Sequence, residues 1–394
     1  MSIEGELRIE LQSQDQRVRG VTIQSSRPLQ LPSLFEGKTT EAVLQMIPML
    51  YSVCANAQAG AAVTACRQAM GVGVESRISL AESMLILCET AREHLWRILI
   101  DWPGFSGEAV NRAYLSDLPE LMKQAKCACF GEQGEAFSLQ PNLQLDCEGF
   151  RHLIEILSRT SEQAVFGFPP GQWHSMCDMD DFHRWIDDKA TAPARLLANV
   201  RDEGLCHLGG AEITALPDFE IQSMDRRLQQ PDADRFIAQP DWDATPRETS
   251  ALTRQATHPL IKALQSDYGS GLMTRMAARL LELSSIPGAL LDLLHRLTGE
   301  ESAHPVDPVQ ETNGVGLGIV EAARGRLTHR ASLIDGVISR YQILAPTEWN
   351  FHPEGVVAHG LLGLPAGDEA ALRRQASLFI NAVDPCVGYR LEFV

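Results

Sequence analysis

The sequence predicts an α+β protein that is mostly helical and has a modest sheet component. Apolar residues recur with helical spacing through much of the 394-residue chain. Short stretches of alternating apolar and polar residues lie near the N-terminus and again at 314–344. A hydrophobic content of 44% with 22% charged residues is typical of a globular protein that buries a large core. We expect one domain over residues 1–394.

The first elements follow from these patterns in order. Residues 6–12 and 17–25 alternate and predict an antiparallel pair of strands. From Thr39 to about Met70 the pattern is helical, and Pro48 should kink or interrupt it. A second long helix is predicted from Ser79 to Ile100, where Trp102-Pro103 should stop it.

The rest of the chain predicts further helices, a long irregular segment and a return to strands. The helices are expected at 149–159, 180–199, 258–265, 271–284 and 287–298. The segment 209–257 contains four prolines and predicts an irregular excursion. Strands are predicted within 314–344, and a helix at 368–379 then leads to Cys386.

Charge and cysteine content restrict the function and the compartment. With 34 basic and 51 acidic residues the net charge is -17, which argues against a nucleic-acid or anionic-membrane partner. No apolar run approaches the ~20 residues of a membrane-spanning helix, and the opening MSIEGELRIE has no apolar core of a secretory signal. Nine cysteines without a spacing framework fit a reducing compartment. We therefore expect a cytoplasmic protein.

Two incomplete cysteine motifs lie near opposite ends of the chain. The end of the chain, from Asp384-Pro385-Cys386, resembles the DPCxxCxxH signature of nickel–iron hydrogenase large subunits. Tyr389 stands where the second cysteine belongs, and Glu392 where the histidine belongs. Near the N-terminus, Cys54 occupies the first position of the family's CGxC pair and Ala57 the second. Each motif therefore keeps one cysteine of two.

Other blocks match the same family in the same order. They are IEGELRI at 3–9 (family IEGHLRI), LFEG at 34–37 (F-x-G), ETSALTR at 248–254 (ETGxLAR), EAARGRLTH at 321–329 (EAPRGALGH) and YQILAPTEWN at 341–350 (YQxxxPTTWN). Within this family, members that have lost cysteines resemble the HupK/HoxV-type hydrogenase maturation proteins, and this chain looks like one of them. The resemblance implies the large-subunit fold, with long central helices and small peripheral β-sheets.

The resemblance also implies a function. It implies a non-catalytic scaffold on which an iron fragment with cyanide and carbonyl ligands is built or held before transfer to the true large subunit. The implied partners are hydrogenase maturation chaperones and the apo large subunit. A nickel–iron pair in the enzyme needs four thiolates, and only Cys54 and Cys386 occupy those positions here. We therefore expect transiently bound iron and no nickel.

The matching motifs imply roles for particular residues. Cys54 and Cys386 match terminal nickel ligands, so an iron held by them would be displaced from its place in the enzyme. The other implied cofactor-binding residues are Arg324 and Thr347 around the diatomic ligands, Asp384 as a brace for Arg324, Pro385 beside Cys386, and Glu4 at the family's proton-passing position. Guanidinium and hydroxyl donors suit cyanide nitrogens in an apolar pocket.

Other interpretations of these residues remain open. Each cysteine can simply be a small buried apolar residue, and Arg324 can serve a structural ion pair. A zinc site is conceivable at Cys127, Cys129, Cys147 and His152, although C-x-C is not the usual spacing. His174 with Cys177, and Cys206 with His207, are weaker candidates of the same kind.

Two other functions compete with the scaffold. A divergent hydrogenase large subunit is disfavoured because neither alanine nor tyrosine can replace a bridging thiolate, and because only two residues follow Glu392. A metal-free structural or interaction subunit of a larger complex is the other alternative.

Overall fold

The computed structural model describes residues 5–115, 118–299 and 313–394. Its helices are α1 (Thr40–Leu50), α2 (Ala55–Ala69), α3 (Ser76–Trp96), α4 (Trp102–Phe105), α5 (Leu118–Phe130), α6 (Cys147–Ser161), α7 (Pro170–His174), α8 (Met179–Asp188), α9 (Ala192–Asp202), α10 (Ile221–Leu228), α11 (Ala233–Ala238), α12 (Ala251–Gln255), α13 (Pro259–Tyr268), α14 (Leu272–Thr298), α15 (Pro346–Asn350), α16 (Val356–Leu361) and α17 (Glu369–Val383). The strands are β1 (Glu6–Gln14), β2 (Arg17–Ser25), β3 (Asp241–Trp242), β4 (Thr245–Pro246), β5 (Gly314–Ala322), β6 (Gly325–Ile334), β7 (Val337–Leu344) and β8 (Gly388–Phe393). The predicted class, mostly helical α+β with small sheets, is confirmed.

The first sheet joins the two ends of the described chain. Its order is β2-β1-β8, with β1 antiparallel to β2 and parallel to β8. Leu7, Ile9 and Leu11 alternate along β1 and are buried, because successive side chains of a strand point to opposite faces. Leu7 pairs with Tyr389. The predicted β1–β2 pair is confirmed, and the β8 pairing fixes the segment that follows Cys386.

The second sheet positions the helix that begins next to Cys54. Strands β5, β6 and β7 form an antiparallel sheet, as the pattern at 314–344 predicted. Gly314, Gly316 and Gly318 lie so close to α2 that a Cβ at any of them would overlap a backbone carbonyl oxygen of that helix. The alternating glycines therefore allow a close helix–sheet contact.

Helix α14 lies at the centre of the helical core. It packs against α3, α6, α7 and α12, and Leu280, Leu281 and Leu283 on it are fully buried. No helix in the described ranges is both long and apolar enough to span a membrane.

Prolines had less effect on the helices than the sequence predicted. Helices were expected at 271–284 and 287–298, but α14 is continuous through Pro287. Burial of Ile286 and Leu290 on either side compensates for the lost backbone hydrogen bond. Trp102-Pro103 does not stop the second long helix. A π-helical segment, Arg97–Asp101, follows α3, and Pro103 then lies in the first turn of α4, where its missing N–H is tolerated.

Two other predicted segments are divided differently. The helix expected at 180–199 is two helices, because Lys189 adopts the left-handed conformation and ends α8. Thr191 then caps α9 by accepting a hydrogen bond from the Ala194 N–H. The predicted 39–70 helix is also two helices, with α1 continuing two residues past Pro48. The segment 209–257, predicted to be irregular, contains α10, α11, α12 and the short β3–β4 pair.

Candidate metal centre

Cys54 lies immediately before the first turn of α2. Its side chain does not cap this helix. Instead the buried carboxylate of Glu89, on α3, accepts hydrogen bonds from the backbone N–H groups of Asn56 (2.8 Å) and Ala57 (3.0 Å). These bonds satisfy N–H groups that a helix start leaves without intrahelical partners. The thiol of Cys54 accepts from Gln58 Nε2 at 3.6 Å.

Cys386 lies between α17 and β8. Its sulfur is 2.9 Å from the hydroxyl oxygen of Thr347, and its backbone N–H donates to the same oxygen at 3.3 Å. Thr347 is in the first turn of α15. The Tyr341–Asn350 block and the C-terminal cysteine motif are therefore in direct contact.

The structure brings Cys54 and Cys386 into one electrostatic environment. Burial, together with nearby Cys386 and Glu89, raises the pKa of the Cys54 thiol to about 12, against the opposing effects of Arg324 and the Gln58 hydrogen bond. Both cysteines are free and partly buried. Two thiols from opposite ends of the sequence thus lie close enough to influence each other's ionisation.

Asp384 is the centre of a buried cluster of arginines. Its Oδ1 accepts from Arg97 Nε at 2.7 Å and from Arg324 Nε at 3.2 Å, while Arg279 Nη2 lies 3.4 Å from Oδ2. Burial would raise the pKa of this carboxyl, but the charges of Arg324, Arg97 and Arg279 lower it well below its ordinary value. Asp384 therefore forms a buried ion pair with Arg324.

Arg324 lies between this cluster and the two sulfurs. Its Nη2 donates to Glu93 Oε2 at 3.0 Å, and its backbone carbonyl accepts from Asn350 Nδ2 at 3.1 Å. Burial lowers its pKa, but Asp384, Glu93 and the two thiols together raise it above the ordinary value. Arg324 donates to Asp384 through Nε and to Glu93 through Nη2, so its Nη1 takes part in neither hydrogen bond.

Arg27 is a second cation near the sulfurs that the sequence analysis missed. Its Nη1 donates to Glu348 Oε1 at 2.8 Å, and the two side chains are only 11% and 8% exposed. Burial opposes its charge, but Glu348, Cys386 and Cys54 raise its pKa above the ordinary value. The only sequence signal was position: Glu348 follows Thr347 in the Tyr341–Asn350 block, and Arg27 follows β2, the strand that pairs with β1 of the 3–9 motif.

A cavity of about 680 Å³ leads to the site. Cys386, Arg324 and Pro385 line it, together with the exposed Trp96 and the partly buried Tyr389. The carbonyl of Pro385 accepts from Arg97 Nη2 at 3.2 Å. The π-helical segment after α3 therefore supplies an arginine that holds both Asp384 and Pro385.

The remaining predicted residues are placed as follows. Glu4 lies outside the described residues. Glu392, at the family's histidine position, pairs with Arg8 at the surface, 2.7 Å apart. Within the described ranges, no three or more histidine, cysteine, aspartate or glutamate side chains form a group that could hold a metal. The zinc site considered at Cys127, Cys129, Cys147 and His152 is therefore not formed, and His152 is largely exposed.

Comparison with known proteins identifies the family of this chain. A family model described as nickel-dependent hydrogenase matches residues 244–387. The chain is 30% identical to the hydrogenase expression/formation protein HoxV of Cupriavidus necator, over 94% of this chain and 92% of that protein. The chain belongs to the HoxV/HupK family of hydrogenase expression/formation proteins. It is also 28% identical to HupK of Azotobacter vinelandii, over 99% of each chain.

The HoxV/HupK chain shares its fold with hydrogenases of known structure. It superposes on the Ni-Fe-Se hydrogenase from D. vulgaris Hildenborough with a TM-score of 0.67, over 95% of this chain and 94% of that one, at 15% identity. This likeness confirms the predicted large-subunit fold. The fold places motifs from both ends of the sequence around the same cavity.

Proposed function

We propose that this HoxV/HupK protein is a non-catalytic scaffold that holds an iron fragment with cyanide and carbonyl ligands on Cys54 and Cys386. The observation that supports this most is the pair of thiols beside Arg324, Arg27 and Thr347, without a further grouped metal ligand in the described residues. Two thiolates cannot complete the coordination of an iron ion. Strong-field diatomic ligands supply the rest, so the site suits iron that arrives already bearing them.

The charges of the site fit such a cargo. Ferrous iron with two thiolates is neutral, and each cyanide adds one negative charge. A buried anion needs compensating charge and hydrogen-bond donors. Arg324 and Arg27 provide positive charge near both sulfurs, and the Thr347 hydroxyl is already in contact with Cys386.

The cavity also fits a protein that receives and releases its cargo. Its volume of about 680 Å³ far exceeds that of one iron with small ligands, since a water-sized group takes ~30 Å³. The remaining space is open to the partners we propose, which are maturation chaperones that deliver the fragment and the apo hydrogenase large subunit that takes it.

Single-cysteine variants test this proposal. Cys54→Ser and Cys386→Ser should each lose most of the bound iron when purified anaerobically from cells that make the cyanide and carbonyl ligands. Cys177→Ser is the matched control, because Cys177 is exposed and is not among the residues that line this cavity. Iron content measured by elemental analysis decides the matter: iron retained equally by all three variants would contradict the two-thiolate site.

A further inference from the structure

A chain of three buried side chains connects Cys54 to the second sheet. Gln58 Nε2 contacts Cys54 Sγ at 3.6 Å, and Gln58 Oε1 lies 2.8 Å from His329 Nε2. His329 Nδ1 in turn lies 2.9 Å from the hydroxyl of Tyr341. Helix α2, strand β6 and strand β7 each contribute one member. His329 and Tyr341 belong to the two motif blocks at 321–329 and 341–350, for which the proposed function gives them no role.

The hydrogen bonds in this chain have a definite direction. The amide oxygen of Gln58 can only accept, so His329 Nε2 carries the proton and donates to it. Burial lowers the pKa of His329 to about 3, so the ring is neutral and Nδ1 accepts. Burial also raises the pKa of Tyr341 well above its ordinary value, so its hydroxyl keeps its proton and donates to Nδ1. The Gln58 amide is thereby held with its N–H₂ group toward the sulfur.

We propose that Gln58 is a positioning residue that donates a fixed hydrogen bond to the iron-bound sulfur of Cys54, with His329 and Tyr341 setting its orientation. This inference rests on the proposed function, in which Cys54 binds iron. A thiolate bound to iron carries no proton and can only accept a hydrogen bond. A Gln58 amide that donates to Cys54 therefore suits the site with iron bound.

The two sulfurs differ in this respect. Cys386 contacts the Thr347 hydroxyl, in which either atom can be the donor, whereas the donor to Cys54 is an amide held by two further residues. A hydrogen bond to sulfur withdraws electron density from it. The iron then donates less electron density to cyanide and carbonyl, and their stretching bands lie at higher wavenumber than they would without Gln58.

Infrared spectra of two variants test the inference. Tyr341→Phe removes the hydroxyl that fixes His329 but keeps the ring, which packs edge-on against Phe35 at 5.1 Å between centroids. Gln58→Leu removes the donor itself at similar volume. Both variants should shift the cyanide and carbonyl bands to lower wavenumber, with the larger shift in Gln58→Leu. The control is Tyr268→Phe. Tyr268 is not one of the three hydrogen-bonded side chains, so this variant should leave the bands in place.

Two results would overturn the inference, and they can be told apart. Bands that are present in wild-type protein but do not move in either variant would refute the role of Gln58 alone. Wild-type protein without any such bands would contradict the proposed function and, with it, this role.

The nitrogen NMR signals of His329 report the direction of these hydrogen bonds in protein without iron. The metal-free wild-type protein should show a neutral ring protonated at Nε2 from pH 5 to pH 8, and Tyr341→Phe should weaken this preference. A ring protonated at Nδ1 in the wild type would overturn the inference, because Gln58 would then present its oxygen to the sulfur.

Discussion

At the scale of single residues, Asp384 has the most charged partners of the predicted site residues. It is buried and interacts with Arg97, Arg279 and Arg324. Asp384→Asn should destabilise the fold by about 3–5 kcal/mol, because it leaves buried guanidinium groups without their counter-charge. The free energy of unfolding in urea, measured at pH 7 against wild type, checks this value. A loss below ~1 kcal/mol would show that the cluster does not depend on this carboxylate.

The same residue predicts a pH dependence. The pKa of Asp384 is lower in the folded protein than its ordinary value of 3.8. Its contribution to stability is therefore fully present above about pH 5 and is lost as the pH falls toward the folded-state pKa. The difference in unfolding free energy between wild type and Asp384→Asn should shrink between pH 5 and pH 3. A difference that stays constant over this range would contradict the low folded-state pKa.

Arg27 gives a second residue-scale prediction. Arg27→Gln should weaken iron retention ~10–100-fold, since a charge-assisted contact contributes ~1.5–3 kcal/mol. Because this change also leaves Glu348 buried without its partner, the double variant Arg27→Gln/Glu348→Gln removes the pair as a neutral unit. Arg19→Gln, exposed on β2, is the surface control. Iron dissociation rates that match wild type in the double variant would show that Arg27 serves Glu348 and not the cargo.

At the scale of elements, the contact between β5 and α2 sets the position of Cys54. A Cβ at Gly316 would overlap the backbone of α2, so Gly316→Ala should cost at least ~1–3 kcal/mol of stability and disturb the cysteine at the start of that helix. Gly288→Ala is the matched control. Its Cβ would meet nothing within 4 Å, so it should stabilise α14 by up to ~1 kcal/mol. Urea unfolding of both variants measures the contrast, and equal effects would refute the close contact.

The helices and strands also show which parts of the fold local sequence patterns can predict. Alternation located β1 because one face of that strand is buried, whereas β6 and β7 are buried over most of their length. The break expected between helices at 271–284 and 287–298 is absent, because tertiary burial of α14 outweighs the one hydrogen bond lost at Pro287. Strand β8 was missed because five of its six residues lie within the C-terminal cysteine motif, and pairing with β1 is a long-range contact that no local pattern encodes. In the site, motifs located Cys54, Cys386, Arg324, Thr347 and Asp384, whereas Arg27, Glu89 and Glu93 act through contacts between distant elements.

At the scale of the whole molecule, the proposed scaffold holds its cargo with fewer thiolates than the enzyme has. Ala57 is buried and Tyr389 lines the cavity. We expect the double variant Ala57→Cys/Tyr389→Cys to retain iron more strongly and to deliver less hydrogenase activity in cells, because a carrier must bind its cargo less firmly than the acceptor does. Unchanged iron occupancy together with a normal maturation rate would instead assign both residues a packing role only.

The central claim is that two thiolates hold an iron that bears cyanide and carbonyl ligands and that nickel is absent. Infrared spectroscopy of the anaerobically purified wild-type protein, combined with metal analysis of the same sample, tests it most directly. We predict cyanide and carbonyl stretching bands, iron that scales with their intensity, and no nickel even from nickel-replete cells. A sample without these bands, or one with stoichiometric nickel, would contradict the account.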